Sequence, residues 1–324
     1  MVQKTFRRKS RSMHLLRKTC VVTILALAFL IPGAGGEAQS AQKTFQSPEA
    51  AVDALVKACR DFNKKELLAL LGPGSEPLIS TGDDVDDRQN MGEFVKSYGE
   101  KNRLVTGSGG KVTLYIGNDD WPFPIPIVRA GKNWRFDTRA GKDEIQNRIV
   151  GENELSAIQV CLAIADAQRD FSDDMRVSTG QPEYAQKLES TKGRKDGLYW
   201  EAAQGEEPSP LGPLVARART EGYSEATGLP SPYHGYFYKI LKAQGKNAPG
   251  GAYDYVVKGR MIGGFAVVGY PASYGASGVY TFVVNHDGVV YRKNLGKNTR
   301  SVASAMTKFD PDKTWKKVES GATK

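Results

Sequence analysis

The sequence predicts an α+β protein: a helix layer with a small curled antiparallel sheet, then one long helix packed on an antiparallel meander. Three observations predict it. Apolar residues recur at helical spacing over 48–71 and again over 145–165. They alternate with polar residues in short runs over 103–137 and 253–293, and glycine-bearing loops of hairpin size join several of those runs. Helices followed by strands, without strand–helix–strand alternation, indicate segregated layers.

Taken in order, Ser47 can cap the first helix, and Pro48 suits its first position because the missing N–H would lack a partner there anyway. Val52, Leu55, Val56 and Cys59 give that helix one apolar face. A second helix is expected over 64–71, ended by Gly72-Pro73, and a third over 86–98. Strands follow at 103–106, 111–116, 124–129 and 133–137, the last two joined by Ala130-Gly131-Lys132. A long helical pattern then runs through Ile145, Ile149, Leu155, Ile158, Leu162 and Ala165. Gly151 interrupts it, so the boundary is placed there, giving domains of 45–150 and 151–318. Residues 173–230 form a loop-rich insertion, since proline forces its predecessor out of the helical region and "GEEPSPLGP" (205–213) is dense in it. Runs 253–258, 263–270, 279–285 and 289–293 read as consecutive antiparallel strands. Asp287-Gly288 reads as a mirror-image turn with positive φ at both residues. A closing helix is expected over 301–308.

Residues 1–38 carry an export signature. Lys4, Arg7, Arg8, Lys9, Arg11, Arg17 and Lys18 form a basic head, Val21 to Ile31 an apolar middle, and small residues lead from Pro32-Gly33 to Ala38. The apolar run is about half the ~20 residues that a spanning helix needs. A signal peptide cut after Ala38 or Ser40 is expected, with a periplasmic or secreted product and no membrane span in the mature chain. Seven of the 45 basic residues and one of the 36 acidic ones fall in 1–38, leaving a formal charge of +3. No clustered basic face remains, so nucleic acid is not an expected partner.

The mature chain is poor in chemistry. His234 and His286 lack neighbours at metal-ligand spacing, and each is expected to be satisfied or exposed. There is no Gly-x-Ser-x-Gly elbow, and "GSGG" (107–110) lacks the lysine and helix of a phosphate loop. No catalytic residue and no cofactor is expected. Three features remain as candidates. Asp83, Asp84, Asp86 and Asp87 offer carboxylates to a hard cation such as calcium, against the alternative of a solvated helix start favoured by the helix dipole. Cys59 and Cys161, the two mature cysteines, form either a disulfide or two buried thiols. Tyr233, Tyr236, Tyr270 and Tyr274 lie among many tyrosines of one sheet region. They are a candidate interaction surface, against the alternative that they are strand core.

Four stretches carry a resemblance over most of residues 45–318: "SPEAAVDALVKACRDFNKKELLALLGP", "GENELSAIQVCLAIADAQRDF", "EYAQKLESTKGRKDGLYW" and "GGFAVVGYPASYGASGVYTFVVNHDGVVYRKNLG". In these the chain resembles an exported bacterial family known only as a domain of unknown function, which implies no activity. "NELSAIQVCLAIADAQRDF", with "GYFYKILKAQG" and "GYPASYGASGVYTFVVNHDGVVY", is similar to the globular heads of type IV pilins and pseudopilins. That resemblance implies a pilin-head-like second domain, a helix packed on a sheet. A pilin helix continues upstream as an apolar stem, whereas "GKDEIQNR" precedes this one.

The functional expectation is an exported, soluble, non-catalytic binding or assembly component of the cell envelope, whose partner is another envelope protein or a glycan. The alternative is a small-ligand carrier with a pocket in the first domain, under Trp121 and Trp134. A carboxylate-based hydrolase ranks third.

Overall fold

The computed structural model describes residues 42–223 and 231–319. The expected signal, 1–38, and the end of the expected insertion, 224–230, lie outside the described residues. Ser47 caps α1 (Pro48–Arg60) through its Oγ, which accepts from Ala50 N. Asn63 caps α2 (Lys64–Leu71) in the same way, and Gly72 at φ 78° ends that helix. The short α3 (Glu76–Ile79) leads to α4 (Asp84–Glu100), capped by Asp83. Val52, Leu55, Val56 and Cys59 are buried as one face of α1, as their spacing requires.

Below this helix layer lie β1 (Asn102–Thr106), β2 (Val112–Ile116), β3 (Trp121–Pro122), β4 (Ile127–Ala130) and β5 (Asn133–Phe136). Their order is β1-β2-β4-β5, antiparallel, with β3 on β2. Alternation in β2 turns Val112, Leu114 and Ile116 inward. The β4–β5 hairpin pairs Ala130 with Asn133 across a two-residue loop that needs Gly131 at φ 66°. These elements enclose the first of two hydrophobic cores.

α5 (Thr138–Thr179) links the two cores as a single helix of 42 residues. It runs unbroken through Gly151, against the expected interruption. A helical glycine costs ~1 kcal/mol relative to alanine, and burial on both sides outweighs that: Ile145 packs on the first core, and Ala157, Cys161, Ile164 and Phe171 lie in the second. The boundary drawn at 150/151 thus falls inside a continuous helix.

After α6 (Gly212–Thr220) come β6 (Tyr236–Leu241), β7 (Ala243–Gln244), β8 (Tyr253–Asp254), β9 (Val256–Val257) and β10 (Arg260–Met261). Next are β11 (Ala266–Pro271), β12 (Tyr280–Asn285), β13 (Val290–Asn294), α7 (Thr299–Ala305), β14 (Lys308–Phe309) and β15 (Lys316–Lys317). The second sheet has order β15-β13-β12-β11-β6, antiparallel throughout. Its two faces are both covered. A Cβ on Gly269 would touch Cys161 of α5, whereas Arg300 of α7 stacks over Phe237, the cross-strand partner of Tyr270. Val267, Val268, Phe282, Val283 and Val284 are accordingly buried.

Three expectations about this half need correction. Residues 173–179, placed in the loop-rich insertion, are the last turns of α5. Residues 253–258 do not join the meander; β6 takes the place beside β11, and the 253–258 run splits into β8 and β9. Tyr255, between them, is fully buried, with its hydroxyl on Gln244 Oε1 and its N–H on Lys242 O, and so anchors the run to β7 instead. The 285–288 turn has positive φ only at Gly288. Gly288 N donates to Asn285 O and Asp287 N to Asn285 Oδ1, so the buried Asn285 side chain closes a wider turn than the expected mirror-image one.

Candidate functional site

A cavity of about 320 Å³ lies between the helix layer, the first sheet and the start of α5. Leu55 and Cys59 of α1, Leu67 and Leu71 of α2, Ile79 of α3, Ile116 of β2 and Ile125 supply its apolar floor, all of them buried. Met91 and Phe94 of α4, with Trp121 and Phe123, form its aromatic side; Phe123 tilts against Phe94 with ring centroids 5.4 Å apart. Ile145, Arg148, Ile149 and Glu152 close it from α5, one helix face at spacings of three and four. The size falls in the range of small-molecule sites, ~300–1,000 Å³.

Its polar groups are few. Asp87 is buried and committed: its Oδ1 accepts from Thr81 N and Thr81 Oγ1, and its Oδ2 lies 2.8 Å from Lys64 Nζ. Arg148 donates twice to Glu144 and lies 5.1 Å above the Trp121 ring. Trp121 Nε1 is buried without an acceptor among the described residues. Glu93 and Glu152 are exposed at the edge of the cavity. Partial burial of the carboxyl, then repulsion from Glu93 and Asp86, holds Glu152 above its usual range against the opposing pull of Arg148, although the residue as a whole is exposed.

The aspartates proposed as calcium ligands diverge from one another. Asp83 caps α4 and also accepts from Tyr223 Oη at 3.0 Å and Gly235 N at 2.9 Å. Asp84 pairs with Lys64 at the surface. Asp86 lies 4.0 Å from His234 Nδ1 and accepts from Asn90 Nδ2. No group of three metal-ligating side chains occurs among the described residues. The helix start is real, but it is not solvated: Asp83, Asp86 and Asp87 are all buried.

His234 is held between carboxylates, with Nε2 3.4 Å from Glu221 as well as Nδ1 facing Asp86. Tyr233 Oη donates to Glu221, and Tyr233 and Tyr223 stack edge-on beside it. His286 departs from expectation, since its Nδ1 is buried without a partner among the described residues. The four tyrosines named as a candidate surface differ in exposure. Tyr236 is fully buried, with its hydroxyl on Tyr280 O; Tyr233, Tyr270 and Tyr274 are half-buried.

The proposed disulfide is absent. Cys59 and Cys161 are free thiols, each packed in a different core, and burial pushes both up to about 12. Neither thiol should react in native protein; two should be alkylated after unfolding, and reductant should leave native mobility unchanged. Trp134 does not line the cavity; it stacks under Arg129 and pairs with Phe45. Sequence reasoning missed Asn90, Glu93, Arg148 and Glu152. The spacing of 145, 148, 149 and 152 was the available signal, but the notion of a break at Gly151 concealed it.

Among the described residues no helix is long and apolar enough to cross a membrane. The model of a family described as "Protein of unknown function (DUF2950)" matches residues 42–318. No curated protein and no solved structure matches the chain.

Proposed function

We propose, from the premise that this chain belongs to the family of proteins of unknown function (DUF2950), that it is an exported, non-catalytic carrier of a small apolar ligand. The observation that carries this reading is the cavity, floored by buried aliphatic side chains and bordered by few polar groups. An apolar floor gives a non-polar ligand ~25 cal/mol for each Å² of surface that leaves water. The envelope-assembly reading relied on an exposed tyrosine sheet, and both faces of that sheet are covered, so the carrier is the stronger proposal. Export itself rests on residues 1–38 of the sequence.

Trp121 makes the test direct. Titration with an uncharged apolar probe, 1-octanol, should shift Trp121 emission saturably with one site per chain, and the response should vanish in Trp121→Phe. Ile149→Phe, which adds volume from the α5 wall, should weaken binding several-fold without lowering the melting temperature by more than a few degrees. Absence of saturable binding to any uncharged apolar probe would refute the carrier.

A further inference from the structure

We infer that the ligand held in this cavity is a small amphiphile with a protonated amine at its polar end, its apolar body on the aliphatic floor and its ammonium between Glu93 and Glu152. The inference rests on the carrier reading and adds the chemistry of the ligand's head. Exposure grades along the cavity wall: Leu55, Ile116 and Ile125 are buried, whereas Glu93 and Glu152 are exposed, so the carboxylates mark the mouth.

Charge at this mouth is mainly negative, although Arg148 also acts on Glu152. The other charged lining groups already have partners, Asp87 in Lys64 and Arg148 in Glu144. Glu93 and Glu152 make no hydrogen bond and no ion pair among the described residues. They come from different helices, α4 and α5, and lie close enough to repel, which with burial keeps the Glu152 proton on to higher pH. A cation between them would relieve that repulsion; a carboxylate or phosphate head would add to it. A second group points to a ligand independently. The Trp121 indole N–H is buried without an acceptor, and an oxygen or π-bond near the amine would supply one. The face of the same ring is taken by Arg148, so the ammonium is left to the carboxylates.

Three probes of equal chain length separate the head from the body: octylamine, 1-octanol and octanoate, each below its micelle concentration and at low salt. Octylamine should bind tightest, about tenfold tighter than the alcohol, and octanoate weakest. In the Glu93→Gln/Glu152→Gln variant the amine should lose that advantage while 1-octanol binds as before; both residues are exposed, so the fold is not at stake. Lowering the pH through the carboxylate range should erode the amine preference in the unsubstituted protein, because Glu152 takes up its proton early. If the amine binds no better than the alcohol, or keeps its advantage in the double variant, the inference fails and the carrier reading stands. If none of the three binds, both fail together.

Discussion

Gly141→Ala should destabilise the protein by about 3 kcal/mol, although alanine is the better helix former. Gly141 lies in the first turns of α5, and a Cβ there would overlap the carbonyl carbon and oxygen of Pro124 and approach Ile125 N to 2.7 Å. These are backbone atoms of the segment that brings Ile125 into the cavity floor, and no rotamer change moves them. Nor can the helix start simply shift, because Thr138 Oγ1 is bonded to Leu71 O at the end of α2. The propensity gain of ~1 kcal/mol is therefore the smaller term. Gly151→Ala supplies the control in the same helix. Nothing lies within 4 Å of the added Cβ at position 151, and φ there is not positive, so propensity acts alone and stability should rise by up to ~1 kcal/mol. Urea unfolding of the two variants reads opposite signs. Equal signs would show that α5 is not pressed against 124–125. Because α5 also walls the cavity, Gly141→Ala should weaken octanol binding as well, whereas Gly151→Ala should leave it unchanged.

The pair also shows what was legible in the sequence. Helical periodicity gave α1 and α2 nearly to the residue, because each has a capping side chain at its start and an apolar face, whereas α4 extends two residues beyond the expected 86–98 at each end. Period-two alternation gave β2, β11, β12 and β13 for the same reason, a local pattern matched to one buried face or two. What local pattern cannot carry is the environment of a glycine. Gly141 and Gly151 look alike in sequence, yet one fits against a backbone carbonyl and the other faces open space. The expected break at 151 and the domain boundary placed on it followed from treating Gly151 as punctuation. The cavity suffered in consequence: the boundary cut its α5 wall between Ile149 and Glu152, and Glu93 and Glu152 are 59 positions apart in the chain. Tyr255 was misplaced for a related reason, since its pairing with Gln244 depends on a contact that alternation does not encode.

Asp83 is the second position where a large effect is expected, and it acts by joining the two cores. Its carboxylate caps α4, which belongs to the first core, through Val85 N and Asp86 N. Its other oxygen takes Tyr223 Oη, just after α6, and Gly235 N, just before the edge strand β6 of the second sheet. Asp83→Ala removes a helix cap, worth ~1 kcal/mol, and strands the buried Gly235 N and the half-buried Tyr223 Oη at ~1–3 kcal/mol each. Against this, burial holds the Asp83 carboxyl above its usual range, so deleting the charge also removes a desolvated anion. The balance is a net loss on the order of 3 kcal/mol, a fall in Tm of roughly 6–12 °C at ~2–4 °C per kcal/mol for a body of this size. Tyr223→Phe alone should cost less, because Asp83 keeps its cap and Gly235. The double variant should fall short of the sum of the two, since the hydroxyl has lost its acceptor once Asp83 is gone. Asp83→Asn separates charge from shape. A carboxyl raised in the folded state contributes stability that is complete below its unfolded pKa and is lost as pH rises through the folded one. The margin of the unsubstituted protein over Asp83→Asn should therefore narrow as pH climbs from about 3 into the neutral range. A margin that widens would mean that the folded state favours the Asp83 anion, and that Tyr223 and Gly235 stabilise it by more than burial costs.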